Sequence, residues 1–467
     1  MDSFIIYFTS ALMFIAAFAV YWIYVAGGKA FVSPTNWFLV LQLPFLIGTL
    51  QAIDVGRHED LVWLFAVMGG TFSFIFGAFL ANSFSAFNPR VEINRFVSQP
   101  VKFDMEFLPY SVMVLGMGAV CVLVGIIFVL SIQTNIFVWA IGNFFSSGGE
   151  ISQTQYGDMR TAITTGREGY VAPGYTLQFV AVLLPLILYL MYFRIRRTRR
   201  PMEIILGATL LLGDLYFITA FGTRGQIIFL ALTFAALVSP FGPVPEVWRS
   251  ARRTTFIVIV ALLAFYAVST ILMGRTDTNP VSGDWVEAVG GALYDFYDRT
   301  TGAYSSQMLS LVRYLMSQPI DWGAEWLQSM SGMIPGGAKG YGFSNEMSLY
   351  LYGTIEGNVG LNVYASLFYN LGLWGSFVGF TIVGFLIQVF TINYVRGERT
   401  IIRVVILFVA GFRLSMFRDP YSLFLEGFVT VVLYYLIVLI LKERRLPIHF
   451  GQRKEFPKQD GLALPTG

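Results

Sequence analysis

Cysteine is almost missing from this chain: Cys121 is the single one, set in an apolar run. No intrachain disulfide can form, and no cysteine metal site can be built. Histidine is nearly as scarce, with His58 and His449 alone, which excludes a His-rich zinc centre. Charge is sparse as well. Only 13% of residues are Asp, Glu, Lys or Arg, where an ordinary soluble domain carries about 25%. The net charge of +3 is too small to suggest a nucleic-acid partner. Gly-x-Ser-x-Gly, His-Glu-x-x-His and Walker-type loops are all absent, which sets aside those hydrolytic and nucleotide-binding chemistries. What is plentiful is apolar: 56% hydrophobic residues, with 44 Phe, and a mean hydropathy of +0.65. That balance belongs to a chain whose solvent is mostly lipid.

A membrane span needs about 20 mostly apolar residues. Eleven stretches meet or approach this: 4–26, 37–53, 61–84, 109–132, 175–193, 203–221, 226–241, 255–273, 363–394, 401–417 and 421–441. The ninth is long enough to be tilted, kinked or split near Gly372 and Gly375. The first lacks a basic leader and a small-residue cleavage pattern, so it reads as a retained helix and not as a signal peptide. The expectation is an all-α polytopic membrane protein of ten to twelve transmembrane helices, about eleven, with a large, partly helical periplasmic loop. Its sections are helices 1–4 (residues 1–133), a loop (134–174), helices 5–8 (175–273), the large loop (274–362), helices 9–11 (363–441) and a tail (442–467). Within the large loop, 285–297 and 304–316 read as helix-like, and its tryptophans and tyrosines suggest a position partly on the membrane interface.

Basic residues set the orientation. The run 194–200 holds five arginines and is expected to be cytoplasmic. Alternating from there puts 21 of the 31 Lys and Arg on the cytoplasmic side and nine on the outer side, which nonetheless has the longest loops. The N-terminus is then periplasmic and the C-terminus cytoplasmic.

Several arginines stand where this rule disfavours them. Arg224 sits in the turn Gly222-Thr223-Arg224-Gly225, Arg275 follows the eighth span, and Arg413 lies inside the tenth. Arg418 lies in Phe417-Arg418-Asp419-Pro420. Each falls at or just below the expected outer rim. A guanidinium cannot lose its proton and offers a planar fork of donors suited to phosphate. A solitary arginine there can snorkel or pair with a carboxylate, and Glu426, at a depth like that of Arg413, predicts a structural Arg413–Glu426 ion pair. Asp214 lies about two turns below the rim of the sixth span and Asp419 adjoins Arg418. Arg224 and Arg275 remain as phosphate ligands.

A transfer reaction on a phosphate-bearing substrate also needs a base for an attacking hydroxyl. The large loop supplies Asp295, Asp298, Asp321, Glu325, Glu346 and Glu356, and spacing does not select among them. Glu325 stands out through Asp321-Trp322-Gly323-Ala324-Glu325-Trp326, since tryptophans can stack on sugar rings. Asp298, Glu325 and Glu346 are the candidate bases. His58, in Arg57-His58-Glu59-Asp60, reads as a solvated turn residue.

Four short segments, in order, resemble the Wzy-type oligosaccharide repeat-unit polymerases of O-antigen and enterobacterial common antigen. Gly222-Thr223-Arg224-Gly225-Gln226 is similar to that family's Gly-Ser/Thr-Arg turn. Met333-Ile334-Pro335-Gly336 resembles its Ile-Pro element. Tyr369-Asn370-Leu371-Gly372-Leu373-Trp374-Gly375 resembles its Tyr-Asn-Phe-Gly-x-x-Gly entry to a late helix, and Arg418-Asp419 its late Arg-acid pair. The resemblance spans residues 222–426. It implies a GT-C-like architecture and a metal-independent glycosyltransferase without cofactor in the bacterial inner membrane. The implied substrates are undecaprenyl-diphosphate-linked oligosaccharides, and a chain-length-regulating co-polymerase is an implied partner beside membrane lipid. Arg224 and Arg418 carry over as diphosphate ligands by motif, with Arg275 and Arg299 added by position. Two other readings stay open: an O-antigen ligase or related lipid-linked glycosyltransferase, and a transporter or flippase of lipid-linked or anionic solutes. Ligases usually place a histidine in the large outer loop, and residues 274–362 contain none.

Overall fold

The computed structural model describes residues 2–25, 33–102, 183–220, 225–238, 302–331 and 362–415, with scattered positions at 116–142, 244, 256–266, 290–294 and 347–353. The helices described end to end are α1 (Asp2–Tyr24), α2 (Pro34–Ala52), α3 (His58–Phe84), α4 (Pro89–Ser98), α5 (Leu184–Thr198), α6 (Pro201–Ala220) and α7 (Gly225–Val238). They continue with α8 (Gly302–Leu315), α9 (Ala324–Ser331), α10 (Val363–Arg396) and α11 (Ile401–Ser415). No strand forms among the described residues. Within α1, α3, α6 and α10, the segments Ile5–Tyr24, His58–Phe84, Pro201–Thr219 and Val363–Arg396 are long and apolar enough to cross a bilayer. The chain is an α-helical membrane protein; spans 109–132, 255–273 and 421–441 fall wholly or mostly outside the described residues.

The central pair is α3 against α10, held by small residues. A methyl group at Gly77 would overlap the Thr381 carbonyl, and one at Gly384 would overlap the Phe74 carbonyl. The two glycines therefore let the backbones touch reciprocally, the way helices associate where lipid gives no hydrophobic push between them. Farther along, the rings of Phe377 and Phe380 fill the space over Gly69 and Gly70. Gly384→Ala is expected to cost roughly 1–3 kcal/mol through overpacking. Gly213→Ala on α6 should be neutral, because its new methyl meets only Phe217 at 3.9 Å. Thermal unfolding of both variants in detergent checks the contrast, and equal midpoints would remove the close contact from the fold's determinants.

The chain returns repeatedly to two ends of the bundle. At one end the Tyr7 hydroxyl donates to the Ile53 carbonyl (2.7 Å), and α8 and the start of α10 join it. At the other, α10 ends beside α4, and Lys102 bridges to Thr400. Asn88 caps α4 by accepting from the Val91 N–H (3.3 Å), with Pro89 in the first turn. Ile93 and Phe96 bury one face of α4. Arg399, 2% exposed, donates to the Val97 carbonyl (2.8 Å) and lies 5.4 Å over the Phe96 ring. Arg396 grips Glu92 with both forks at 2.8 Å.

That grip makes a pH prediction. The Arg396 hydrogen bonds hold the Glu92 carboxyl below the usual carboxylate range. A carboxyl with a depressed folded pKa adds stability above its unfolded value, near pH 4.5, and loses it as pH falls through the folded value. Both groups are partly solvated, so the contribution is about 0.5–1 kcal/mol. Glu92→Gln should be less stable than wild type at pH 7, and the difference should close in the acid range. A pH-independent gap would assign the effect to packing.

Two elements differ from the sequence reading. The five-arginine run is not all turn: α5 continues to Thr198, Arg199 takes φ 53, and Arg194 is buried, donating to Glu203 at 2.9–3.0 Å. A basic helix end is favoured by the macrodipole, which extends the helix past its apolar stretch. Likewise α8, expected as a helix-like stretch of the large outer loop lying partly on the membrane interface, packs along α2. Ser305, Met308, Leu309, Leu311, Val312 and Leu315 are buried at helical spacing. The Ser305 hydroxyl donates to the Phe45 carbonyl (3.2 Å), about 10 Å inside the end of α2 at 1.5 Å per residue. Ser305, Ser306, Gln307, Ser310 and Arg313 make α8 read as a surface helix when no partner is known.

Candidate active site at the break in α10

Asn362 starts α10 by accepting from the Ala365 N–H (2.8 Å). Ten residues later the helix breaks at Gly372, with φ 67 and ψ −175. That region is open to glycine almost alone. A Cβ there would also lie 2.8 Å from Ile320 Cδ1. The break therefore marks where the segment before α9 enters against α10. The Asp321 N–H donates to the Tyr369 carbonyl (3.4 Å).

Two consecutive left-handed residues, Trp322 (φ 53) and Gly323 (φ 85), turn the chain into α9. Asp321 caps that helix: its carbonyl accepts from the Ala324 N–H (3.2 Å) and its carboxylate from the Glu325 N–H. Glu325, half-buried in the first turn, accepts from Asn370 Nδ2 at 2.9 Å. The same Nδ2 donates to the Ser366 carbonyl (2.9 Å), so both amide protons are committed and the amide is locked. Asn370 is fully buried, and its Oδ1 has no partner among the described residues. Trp326 Nε1 donates to Ser366 Oγ (3.0 Å), while Trp322 stands 76% exposed. A carboxylate is thus fixed by a rigid helix end, and the exposed Trp322 indole, three residues before it in the chain, is open to stack on a ligand.

The same end holds a second built feature. Asp60 is fully buried in the first turn of α3. It takes a bidentate grip from Arg313 of α8, Nε to Oδ1 at 2.8 Å and Nη2 to Oδ2 at 2.7 Å. The Asp54 N–H donates to the same carboxylate (2.7 Å). The planar fork of arginine matches a carboxylate in this manner. Arg57 pairs with Asp54 at 3.4 Å in an exposed contact.

Of the three candidate bases, Glu325 is within the described residues and sits at the break; Asp298 and Glu346 lie outside them. Arg224, Arg275, Arg299 and Arg418 also lie outside. Arg413 falls in the last turn of α11, but its side chain and Glu426 are outside, so the expected ion pair is too. Asp321 is committed to capping. His58 is exposed and opens α3 instead of sitting in a turn. Asp214 is buried in α6. No cluster of metal-ligating side chains occurs among the described residues.

Sequence reasoning missed Asn370 as the holder of Glu325, although it had singled out the segment containing it. It also missed the Asp60–Arg313 pair, whose only signal was an acid in the first turn of a long apolar run.

Compared with protein-family models, with curated proteins and with solved structures, the chain matches none.

Proposed function

We propose that this protein polymerises undecaprenyl-diphosphate-linked oligosaccharide repeat units on the outer face of a bacterial inner membrane. The observation that carries the reading is the Glu325 carboxylate held by Asn370 beside the break at Gly372, in the segment whose sequence resembles the polymerases. The orientation draws support from charge: Arg90, Arg95, Lys102, Arg396, Arg399 and Arg403 gather at the α4 end, against Arg57 and Arg313 at the Glu325 end among the described residues. The Glu325 end is then periplasmic, with the N-terminus, and the C-terminus is cytoplasmic.

In this reaction the growing chain on its lipid diphosphate is the donor and a single repeat is the acceptor. Glu325 takes the proton of the acceptor hydroxyl as its oxygen attacks the anomeric carbon. The bond from that carbon to the diphosphate breaks, and undecaprenyl diphosphate leaves with the electron pair. Arg224, Arg275, Arg299 and Arg418 would stabilise the charge gathering on it. The donor is already activated, so the reaction needs no nucleotide. Trp322 would stack on the acceptor sugar. A chain-length-regulating co-polymerase would act on the same machine.

A deletion strain tests the reading. Surface lipopolysaccharide capped with a single repeat, restored to long chains by the intact gene, is the expected result. Accumulated unligated polymer would instead assign the ligase reaction, and unextended repeats trapped on the cytoplasmic side would assign a flippase.

A further inference from the structure

At the end of the bundle opposite Glu325, a cavity of about 650 Å³ lies between the ends of α1 and α3 and the start of α4. Its wall changes character from one side to the other. Ile23, Tyr24 and Phe79 form an apolar side and are themselves 46–62% exposed, continuous with Phe76 and Phe84 on the surface of α3. In a membrane protein such a surface faces acyl chains. Asn82, Ser83, Asn88 and Arg90 form the polar side, and no carboxylate lines the cavity among the described residues.

Asn82 points to a ligand. It is 6% exposed, in the last turn of α3. Its Oδ1 accepts from Gln388 Nε2 (2.7 Å), whose Oε1 in turn accepts from the Thr35 hydroxyl (2.6 Å). This chain of bonds through three helices leaves the Asn82 Nδ2 donor buried and without a partner. A donor left so is costly in an apolar surround unless something accepts from it. Arg90 has no hydrogen-bond or ionic partner among the described residues either. The nearest acid on α4, Glu92, is held by Arg396, which also takes the Ser85 and Ala86 carbonyls (3.0 and 3.4 Å). Arg396 lies 5.6 Å over the Phe87 ring. The carbonyls and carboxylate that would repel an anion are thereby occupied.

We infer that this cavity binds the phosphate headgroup of an anionic bilayer lipid, with Asn82 and Arg90 on the phosphate and an acyl chain along Ile23, Tyr24 and Phe79. The inference is independent of the polymerase reading, since it needs only that the helices sit in a membrane. A bound lipid would tie α1, whose span is only 22% buried, to α3 and α4.

The test uses the full chain purified in neutral detergent and titrated with phosphatidylglycerol under native mass spectrometry. One tightly retained lipid is expected. Arg90→Gln, a change at an exposed position, should weaken retention about tenfold through loss of a charge-assisted contact. Ser83→Trp, which fills the cavity, should abolish it. Phosphatidylcholine, whose headgroup carries a compensating cation, should be retained more weakly, and inorganic phosphate should not displace the lipid. Equal retention by wild type and Arg90→Gln, or equal retention of the two lipids, would overturn the proposal. Displacement by inorganic phosphate would overturn the lipid assignment in favour of a soluble phosphate site.

Discussion

Glu325→Gln is expected to stop chain growth while leaving the protein folded. The substitution keeps the side chain's size and keeps an oxygen to accept from Asn370 Nδ2, now at 2.9 Å from the carboxylate. What it removes is the ability to take a proton, a loss of about 10²–10⁴ in rate for a positioned general base. The loss should fall on kcat, with little change in the apparent affinity for the lipid-linked repeat, because the arginines proposed to hold the diphosphate are untouched. Asn370→Leu separates positioning from chemistry. The base survives but loses its tether to a rigid helix, and a misplacement of this kind lowers the rate by about tenfold to a hundredfold. Purified protein with a synthetic lipid-diphosphate repeat gives the rates, and thermal unfolding gives the check on folding. If Glu325→Gln made chains of wild-type length, Glu325 would not be the base and Asp298 and Glu346 would be the next to test.

The break that creates this site could be read from the sequence because it depends on local chemistry. A run of 34 helical residues would be about 51 Å long at 1.5 Å per residue, well beyond an apolar core of about 30 Å. Glycines at 372 and 375 mark where such a run can bend, and the observed φ of 67 falls on the first of them. The helix ends were less legible. His58 and Asp60 belong to α3 although both are polar, because an acid in a first turn complements the helix dipole. Contacts between distant segments were not legible at all. Thr35, Asn82 and Gln388 join residues separated by up to 353 positions, and no periodicity announces which buried polar groups will meet. The burial of α8 belongs to the same class. Its apolar stripe predicts a covered face, but only the fold shows that α2 covers it.

Arg313 illustrates how this limit affects function. Its position in the large outer loop made it one more basic residue on the disfavoured side. The fold instead commits it to Asp60, and that pair carries the second large prediction. Asp60 is fully buried and its partner's side chain is 30% exposed. Asp60→Ala would leave a guanidinium facing a hole in the bundle, and the Asp54 N–H would lose its acceptor as well. Breaking a buried pair from one side costs roughly 3–5 kcal/mol; the partial exposure of Arg313 puts this case near the low end, about 3 kcal/mol. The loss arises from the unpaired charge more than from the attraction, so removing both partners should restore most of it. Asp60→Ala with Arg313→Met, which keeps a flexible apolar chain at that position, should unfold within about 1 kcal/mol of wild type. The double variant also reports on activity. α8 and the segment that carries Glu325 are consecutive, running from Leu315 to Ala324 through a short connection. If the pair only anchors α8, the double variant polymerises normally once folded. A folded double variant that made no polymer would instead put the Arg313 guanidinium among the groups that handle the substrate.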